Sequence, residues 1–518
     1  MRSVLQEASV TVSTIDALLA GAQDDAPAIG APERDALTYA GLATQIDETV
    51  AFLNINGIGR GDRVAIVLPN GPEMASAFVT IAAGATTAPL NPAYRAGEFS
   101  FYLDDLGVRL LVVEEGSTSD AVSVARDLGM GIAELAVPEG APAGRYTLTM
   151  TEAAPANDSM KPGRSEADDI ALVLHTSGTT SRPKIVPLSL ANVCASASHI
   201  RESLALTPDD RCLNIMPLFH IHGLIAAVLS SLAAGASVHC TPGFNALRIF
   251  AWFSAVAPSW YTAVPTMHQA ILGRAARNAD SMARLNLRLI RSSSSSLPPQ
   301  VMTELEDTFG CPVIEAYGMT EAAHQMASNP LPPAARYPGC VGIAAGPEVA
   351  IMAEEDGRLL PPGETGEIVI RGPNVTVGYE NNLGTNTTAF TDGWFRTGDQ
   401  GTMDDAGYLR LTGRLKEIIN RGGEKISPRE VDEILMDHPA VGQVVTFAVP
   451  HAKLGEDVAA AVVLKEGKSA DERALRDFAA ERLTDFKVPR TVLFLDEIPK
   501  GATGKLQRIG LAEKLGLA

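Results

Sequence analysis

Cysteine is scarce in this 518-residue chain and carries no metal-binding spacing: Cys194, Cys212, Cys240, Cys311 and Cys340 are odd in number and include no C-x-x-C pair. Neither a disulfide framework nor a zinc site is expected, and a reducing cytoplasm is the compartment that fits. Long apolar runs are missing as well. The longest weakly polar stretch, Gly223 to Ala236, is too short to span a bilayer and is broken by Ser230 and Ser231, so no membrane is expected as a partner. The amino terminus lacks a cationic region followed by an apolar core, so no signal peptide is read, and the final Lys514-Leu515-Gly516-Leu517-Ala518 does not match the peroxisomal Ser-Lys-Leu address. Positive charge is short: 42 Lys and Arg face 61 Asp and Glu, a net charge of -19 that argues against nucleic acid as a partner. The deficit is uneven. From Gly413 onward acids and bases are equal at 17 each, so the acidic surplus lies entirely in the first 412 residues.

What the chain does contain is a segment suited to holding phosphates. In His175-Thr176-Ser177-Gly178-Thr179-Thr180-Ser181-Arg182-Pro183-Lys184, hydroxyl residues flank an unhindered glycine. Several N–H and O–H groups can therefore turn toward one anion while Lys184 brings a mobile positive charge. This is not the Walker loop, in which Gly-Lys precedes Ser or Thr; here the lysine follows Pro183 and precedes Ile185. A Ser/Thr-rich surface turn has the same composition, so distant segments must decide.

The length exceeds what one hydrophobic core serves, and 46% hydrophobic residues at a mean hydropathy of +0.09 provide for two or more domains. Strand-like runs at Val64 to Leu68, Leu110 to Val113 and Ala171 to Leu174 alternate with helical segments such as Glu73 to Ala83. That is the pattern of an α/β protein with largely parallel sheets and ligands at strand ends. After residue 340, Glu367 to Arg371 and Tyr408 to Leu411 lie among Asp-Gly turns and predict a more antiparallel β region. From about Leu415 a smaller α/β unit is expected, with helices at Pro428 to Met436 and Asp471 to Arg482 around a strand at Val458 to Leu464. The Pro/Gly-rich segment Ala136 to Pro162 reads as an insertion loop.

Four further segments follow the phosphate loop: Glu315-Ala316-Tyr317-Gly318-Met319-Thr320-Glu321, Phe395-Arg396-Thr397-Gly398-Asp399, Gly413-Arg414-Leu415-Lys416-Glu417 and Gly501-Ala502-Thr503-Gly504-Lys505. In that order the set resembles the adenylate-forming superfamily of acyl- and aryl-CoA ligases, peptide-synthetase adenylation domains and luciferases. The resemblance implies a large N-terminal body, residues 1–415, of mixed, mostly parallel sheets flanked by helices plus a β region. A small mobile C-terminal α/β lid, residues 416–518, would hinge at Lys416. It implies ATP, Mg²⁺ and CoA, with a carboxylic acid activated by transfer of AMP before thioester formation. Lys505 matches the lid lysine that serves adenylation; Thr320 and Lys184 join it as catalytic candidates. Thr176, Ser177, Gly178, Thr179, Thr180 and Ser294 are candidates for the nucleotide. Glu321 matches the Mg²⁺ ligand, Tyr317 would stack on adenine, and Asp399 with Arg414 would hold the ribose. Lys425 is expected near nucleotide, and Gly422 and Gly423 near the pantetheine arm of CoA. One departure is Ile185, where the family has glycine; a β-branched residue fits there only if the backbone is extended or the loop is altered.

Within the superfamily the resemblance is nearest to oxalate-CoA ligases. It is carried by Thr179 to Lys184, Pro217-Leu218-Phe219-His220-Ile221-His222-Gly223, Trp260 to Gln269, Glu321 to His324 and Ser328 to Pro332. Ser292 to Ser296 occupies a loop that apolar-acid ligases build from Gly, Ala and Pro. His220, Ser293 and His324 are the candidates for a second substrate carboxylate, which an apolar tunnel would not tolerate unpaired. The alternatives are a polar turn beside a pocket for a short, fatty or aryl monocarboxylic acid, a module loading a carrier protein, and an inactive scaffold. The presence of Lys184, Glu321, Asp399 and Lys505 together disfavours the last.

Overall fold

The computed structural model describes residues 12–176, 183–499 and 506–518. Of the residues expected at the site, Ser177, Gly178, Thr179, Thr180 and Lys505 lie outside the described residues.

Apolar runs of four or five residues separated by helices build two large sheets. One has seven described strands in the spatial order Thr147–Glu152, Gly131–Ala136, Leu110–Glu114, Arg63–Val67, Thr86–Pro89, Ile170–His175 and Ile185–Ser189. Its inner five strands are parallel and both edge strands antiparallel. Runs such as Leu110-Leu111-Val112-Val113 have no polar side because helices cover both faces of such a sheet. The other sheet has nine described strands in the order Ile343–Ala344, His324–Ser328, Val313–Met319, Leu289–Ser292, Trp260–Ala263, Arg211–Asn214, Ser237–Cys240, Pro27–Ala31 and Arg34–Thr38. Here Pro27–Ala31 pairs in parallel with Ser237–Cys240, Ile29 opposite Val238.

Helices shared by the two sheets join them. Pro72–Ala82 starts with proline in its first turn and buries every residue except Glu73, as a helix in contact with both sheets must. Leu190–Ser203 begins with a reciprocal cap: Ser189 Oγ accepts from the Asn192 N–H at 3.1 Å and Asn192 Oδ1 accepts from the Ser189 N–H at 2.9 Å. His222–Leu229 is wound as a π-helix and is wholly buried. Ile66, Phe78, Leu110, Val193, Leu224, Val238 and Trp260 belong to one core drawn from both sheets and these helices.

Five antiparallel strands, Glu348–Met352, Thr365–Arg371, Phe390–Thr391, Trp394–Met403 and Leu409–Arg414, form the β region expected after residue 340. The C-terminal part has a sheet of five described strands, which include Val441–His451 and Gly455–Leu464. The helices Pro428–Met436 and Glu472–Ala480 pack on it around Ile419, Val431, Val462 and Leu475.

Two expectations change. The segment Ala136 to Pro162 is not wholly loop, because Thr147–Glu152 pairs antiparallel with Gly131–Ala136 at the sheet edge. Its Thr-rich alternation suits a half-exposed edge, which needs no apolar run. Ile185 resolves in favour of the extended backbone: it opens a strand, opposite His175, and its side chain is buried.

Candidate active site

The phosphate segment joins two antiparallel strands, and its ends close on each other. The Thr176 N–H donates to the Lys184 carbonyl at 2.9 Å, and the Lys184 N–H donates to Thr176 Oγ1 at 3.2 Å. Just before it, His175 Nε2 lies 2.9 Å from Asp105 Oδ2. The Lys184 side chain reaches over the Tyr379 ring, Nζ 4.5 Å from its centre, and the Tyr379 hydroxyl donates to Glu321 Oε1 at 2.8 Å. Burial and then the charge of Lys416 draw the Lys184 ammonium below its usual range, while Glu321 opposes them. Lys184, Glu321, Tyr379 and Lys416 thus share one electrostatic environment.

Val313–Met319 delivers the next group. Tyr317 near its end is buried and donates its hydroxyl to Asp399 Oδ2 at 2.5 Å. Burial first, and then the neighbouring carboxylate, raise the phenol well above its usual range. Asp399 and Arg414 face each other in strand register, with Arg414 Nε 3.2 Å from Asp399 Oδ1, and that carboxylate raises the guanidinium. Beyond Met319 the chain makes a single tight turn, Thr320–Ala322, which places Glu321 inside. Burial raises the Glu321 carboxyl, with the Tyr379 hydrogen bond pulling the other way. No group of three His, Cys, Asp or Glu side chains suited to a metal gathers among the described residues. Magnesium held through nucleotide phosphates needs only one or two carboxylates, and the buried Glu321 carboxylate fits it.

Leaving this turn, Ala323 and His324 take φ of 46° and 102°. The second value is unusual for a residue with a side chain, and such strain persists where the surroundings hold it. Gly318 makes it possible: a Cβ there would stand 1.7 Å from the His324 carbonyl oxygen. The His324 ring lies 5.0 Å from that of His222, centre to centre. His222 Nδ1 is 3.0 Å from Ser294 Oγ and its Nε2 is 2.6 Å from Thr262 Oγ1. Ser294 itself is held at φ 71°. Two histidines, a serine and a threonine therefore form a buried polar cluster beside the turn that carries Glu321.

Residues 19–380 match the AMP-binding enzyme family, and residues 430–505 match the AMP-binding enzyme C-terminal domain. The chain belongs to the AMP-binding enzyme family. An oxalate–CoA ligase of Arabidopsis thaliana is 44% identical over 91% of this chain and 92% of its own. One of Saccharomyces cerevisiae is 41% identical over 98% and 97%. Among solved structures, ATP-bound MatB from Rhodopseudomonas palustris superposes with a TM-score of 0.85 at 30% identity, covering 97% of this chain and 98% of that one. CoA ligases of the AMP-binding family use ATP, Mg²⁺ and CoA, the three expected from the motifs.

The structure sorts the expected site residues. Thr176, Lys184, Tyr317, Glu321, Asp399 and Arg414 gather through the contacts above, with Thr320 in the turn between Tyr317 and Glu321. Ser294 and His324 meet in the polar cluster through His222. His220 is half-buried, and its Nδ1 accepts from the His222 N–H at 3.3 Å, a tie to main chain. The serine wall shrinks: Ser293 is buried and donates to the Ala316 carbonyl at 2.9 Å, while Ser295 and Ser296 are exposed. Ser294 alone of the five hydroxyls reaches His222. In the C-terminal part Lys416 and Lys425 are exposed, and Gly422 and Gly423 take φ of 65° and 101° in the turn between Ile419–Arg421 and Glu424–Ile426. Sequence reasoning missed His222, Thr262, Arg291, Gln325 and Tyr379. His222 had a signal, because a histidine heading the apolar run Gly223-Leu224-Ile225-Ala226-Ala227-Val228-Leu229 is bound to be buried and to need polar partners.

Proposed function

We propose that the protein is an ATP- and Mg²⁺-dependent ligase that joins oxalate to CoA through an oxalyl adenylate. The observation that carries the choice of acid is the buried polar cluster of His222, Ser294 and His324 beside Glu321, which would line the pocket for the acid. A dianion that turns one carboxylate toward the α-phosphate must bury the other, and an unpaired buried charge costs several kcal/mol, on the order of the whole affinity for a small acid. Imidazole and hydroxyl groups offset that loss, whereas a fatty or aryl tail would strand them. The two oxalate–CoA ligases similar to this chain over nine-tenths or more of both lengths support the same reading.

In the first step an oxalate oxygen attacks the α-phosphorus, the bond to the β-phosphate oxygen breaks, and pyrophosphate leaves. The chain's part is to position the reactants and to neutralise their charge. Thr176, Lys184 and the loop between them, with Thr320 and Ser294, would receive phosphate and nucleotide. Tyr317 would support the adenine, and Asp399, already fixed by Tyr317 and Arg414, would accept from the ribose hydroxyls. Mg²⁺ held by Glu321 would supply positive charge to the phosphates. In the second step the CoA sulfur attacks the acyl carbon, its thiol proton passes to solvent, and AMP leaves with the bonding electrons. A body of residues 1–415 and a lid of 416–518 turning at Lys416 would serve these steps in succession. Lys505 would face the nucleotide first, and Gly422 and Gly423 the pantetheine arm later, with Lys425 near the nucleotide. No described helix is long and apolar enough to cross a membrane, and all five cysteines are buried and free, which supports the cytoplasm as the compartment.

The test is pyrophosphate release and thioester formation with oxalate, malonate, acetate, octanoate and coumarate. Oxalate should lead clearly. His324→Ala should cost oxalate far more than acetate, which has no second charge. A wild-type preference for octanoate or coumarate would sink the choice of acid while leaving the ligase.

A further inference from the structure

Beside the polar cluster lies a positive charge that the steps above do not use. Arg291, in the strand Leu289–Ser292, has no exposed surface. Its Nη2 lies 3.2 Å from Gln325 Oε1 and 3.5 Å from His324 Nδ1, while Nε and Nη1 have no hydrogen-bond partner among the described residues. Nor does any described carboxylate form an ion pair with it; its charged neighbourhood is set by burial, which draws it down to about 9, with Cys212 acting the other way. At neutral pH it is therefore a buried cation without a counter-ion among the described residues, an arrangement that burial penalises heavily unless something else returns the balance.

Gln325 cannot turn away from it. The Gln325 Nε2 donates to Ser203 Oγ at 2.7 Å and to the Ala345 carbonyl at 3.1 Å, so its carbonyl oxygen is the end that meets the guanidinium. His324 is constrained by the same logic. A guanidinium has donors only, so the imidazole nitrogen facing it must offer a lone pair, and the ring proton then resides on Nε2. A second positive charge on that ring would be repelled by the first.

We propose that Arg291 is a positioning residue for acid selection, holding His324 as a neutral Nε2–H donor and supplying from beside the polar cluster the positive charge that a dicarboxylate's second carboxylate completes. This rests on the oxalate reading, and it explains why a strained histidine and a buried unpaired arginine occur side by side.

The experiment compares Arg291→Met and Arg291→Lys with wild type in pyrophosphate release from oxalate and from acetate, with AMP binding by calorimetry as the check on folding. Arg291→Met should raise the oxalate KM on the order of tenfold to hundredfold, the worth of a charge-assisted contact. Its kcat at saturation should change much less, and the acetate KM should stay near wild type. Arg291→Lys should recover most of the preference. If Arg291→Met does not bind AMP, Arg291→Gln takes its place, polar but uncharged, and should show the same selective loss. Equal losses for both acids, or a lysine variant no better than the neutral one, would overturn the proposal. A wild-type enzyme indifferent to oxalate would overturn the oxalate reading instead, so the two failures are told apart before any variant is made.

Discussion

Gly318 is the position where one methyl group should tell most. An alanine Cβ there meets the His324 carbonyl oxygen at 1.7 Å and its carbon at 2.6 Å, where ordinary contact begins near 3.4 Å. Backbone cannot swing aside as a side-chain end does, so Gly318→Ala must part the strand Val313–Met319 from His324–Ser328 by more than an ångström. Overpacking of this kind costs about 1–3 kcal/mol, against the roughly 5–15 kcal/mol that holds a domain folded. The variant should therefore remain folded, with a lowered urea midpoint. The strands that part carry Tyr317 and His324, and the turn between them carries Glu321, so the positions proposed for adenine, acid and metal move together. A displacement near 1 Å at reacting groups costs about a hundredfold in rate, and that is the loss expected in pyrophosphate release. Gly273→Ala provides the control. It lies exposed in the helix Pro265–Ala275 with nothing within 4 Å of the added methyl, and should gain stability by about 0.5–1 kcal/mol with unchanged activity. Wild-type urea midpoint and turnover in Gly318→Ala would refute the view that this close approach shapes the site.

Glu315 is buried, accepts from the Leu297 N–H at 2.9 Å through Oε1, and is raised by burial to about 7. A carboxyl raised above its unfolded value stabilises the fold below that value and loses the contribution as pH rises from about 4.5 to about 7. Glu315→Gln should remove that dependence and raise the melting temperature at pH 8, a gain of up to about 3 kcal/mol by linkage; equal melting of both proteins at pH 8 would count against it. Glu321→Gln keeps the shape of the metal candidate without its charge, so adenylation should fall and require more Mg²⁺, and an unchanged Mg²⁺ titration would assign the metal elsewhere. Lys505→Ala should abolish pyrophosphate release from acid and ATP yet convert supplied acyl adenylate and CoA to thioester; equal failure of both half-reactions in a folded protein would remove the alternating lid.

The parts of the fold that the sequence made legible were those whose burial is uniform. Val64 to Leu68, Leu110 to Val113 and Ala171 to Leu174 each lie on strands covered on both faces, and apolar composition alone marks such strands. Thr147–Glu152 escaped because an edge strand with one wet face looks, in a Pro/Gly-rich neighbourhood, like the loop around it. At the candidate site, the residues named from sequence that the structure brings together are those whose type declares a charge or a hydroxyl within a motif, Lys184, Glu321, Asp399 and Arg414 among them. Those missed act through long-range pairing. Tyr379 meets Glu321 across 58 positions, from loop to turn, and Arg291 meets His324 across 33, from strand to strand, neighbourhoods that no local pattern reveals. Ser293 and Ser294 show the finer limit. They are neighbours of one type, and only the backbone at φ 71° decides that the second points to His222 while the first serves a main-chain carbonyl.

The pairing of Ile29 with Val238 also sets an order of events during synthesis. Pro27–Ala31 leaves the ribosome well before the strand it lies against in parallel, Ser237–Cys240, which is made about two hundred residues later. At roughly 5–20 residues per second the wait is on the order of 10–40 s. Meanwhile the early strand has only Arg34–Thr38 to pair with, through a hairpin whose outer strand begins with the charged Arg34 and Asp35, residues that discourage neighbouring chains from adding to the open edge. The edge of this sheet, of nine described strands, is thus completed by the earlier-made of the two partners, and the nascent chain carries its own guard until the later one arrives.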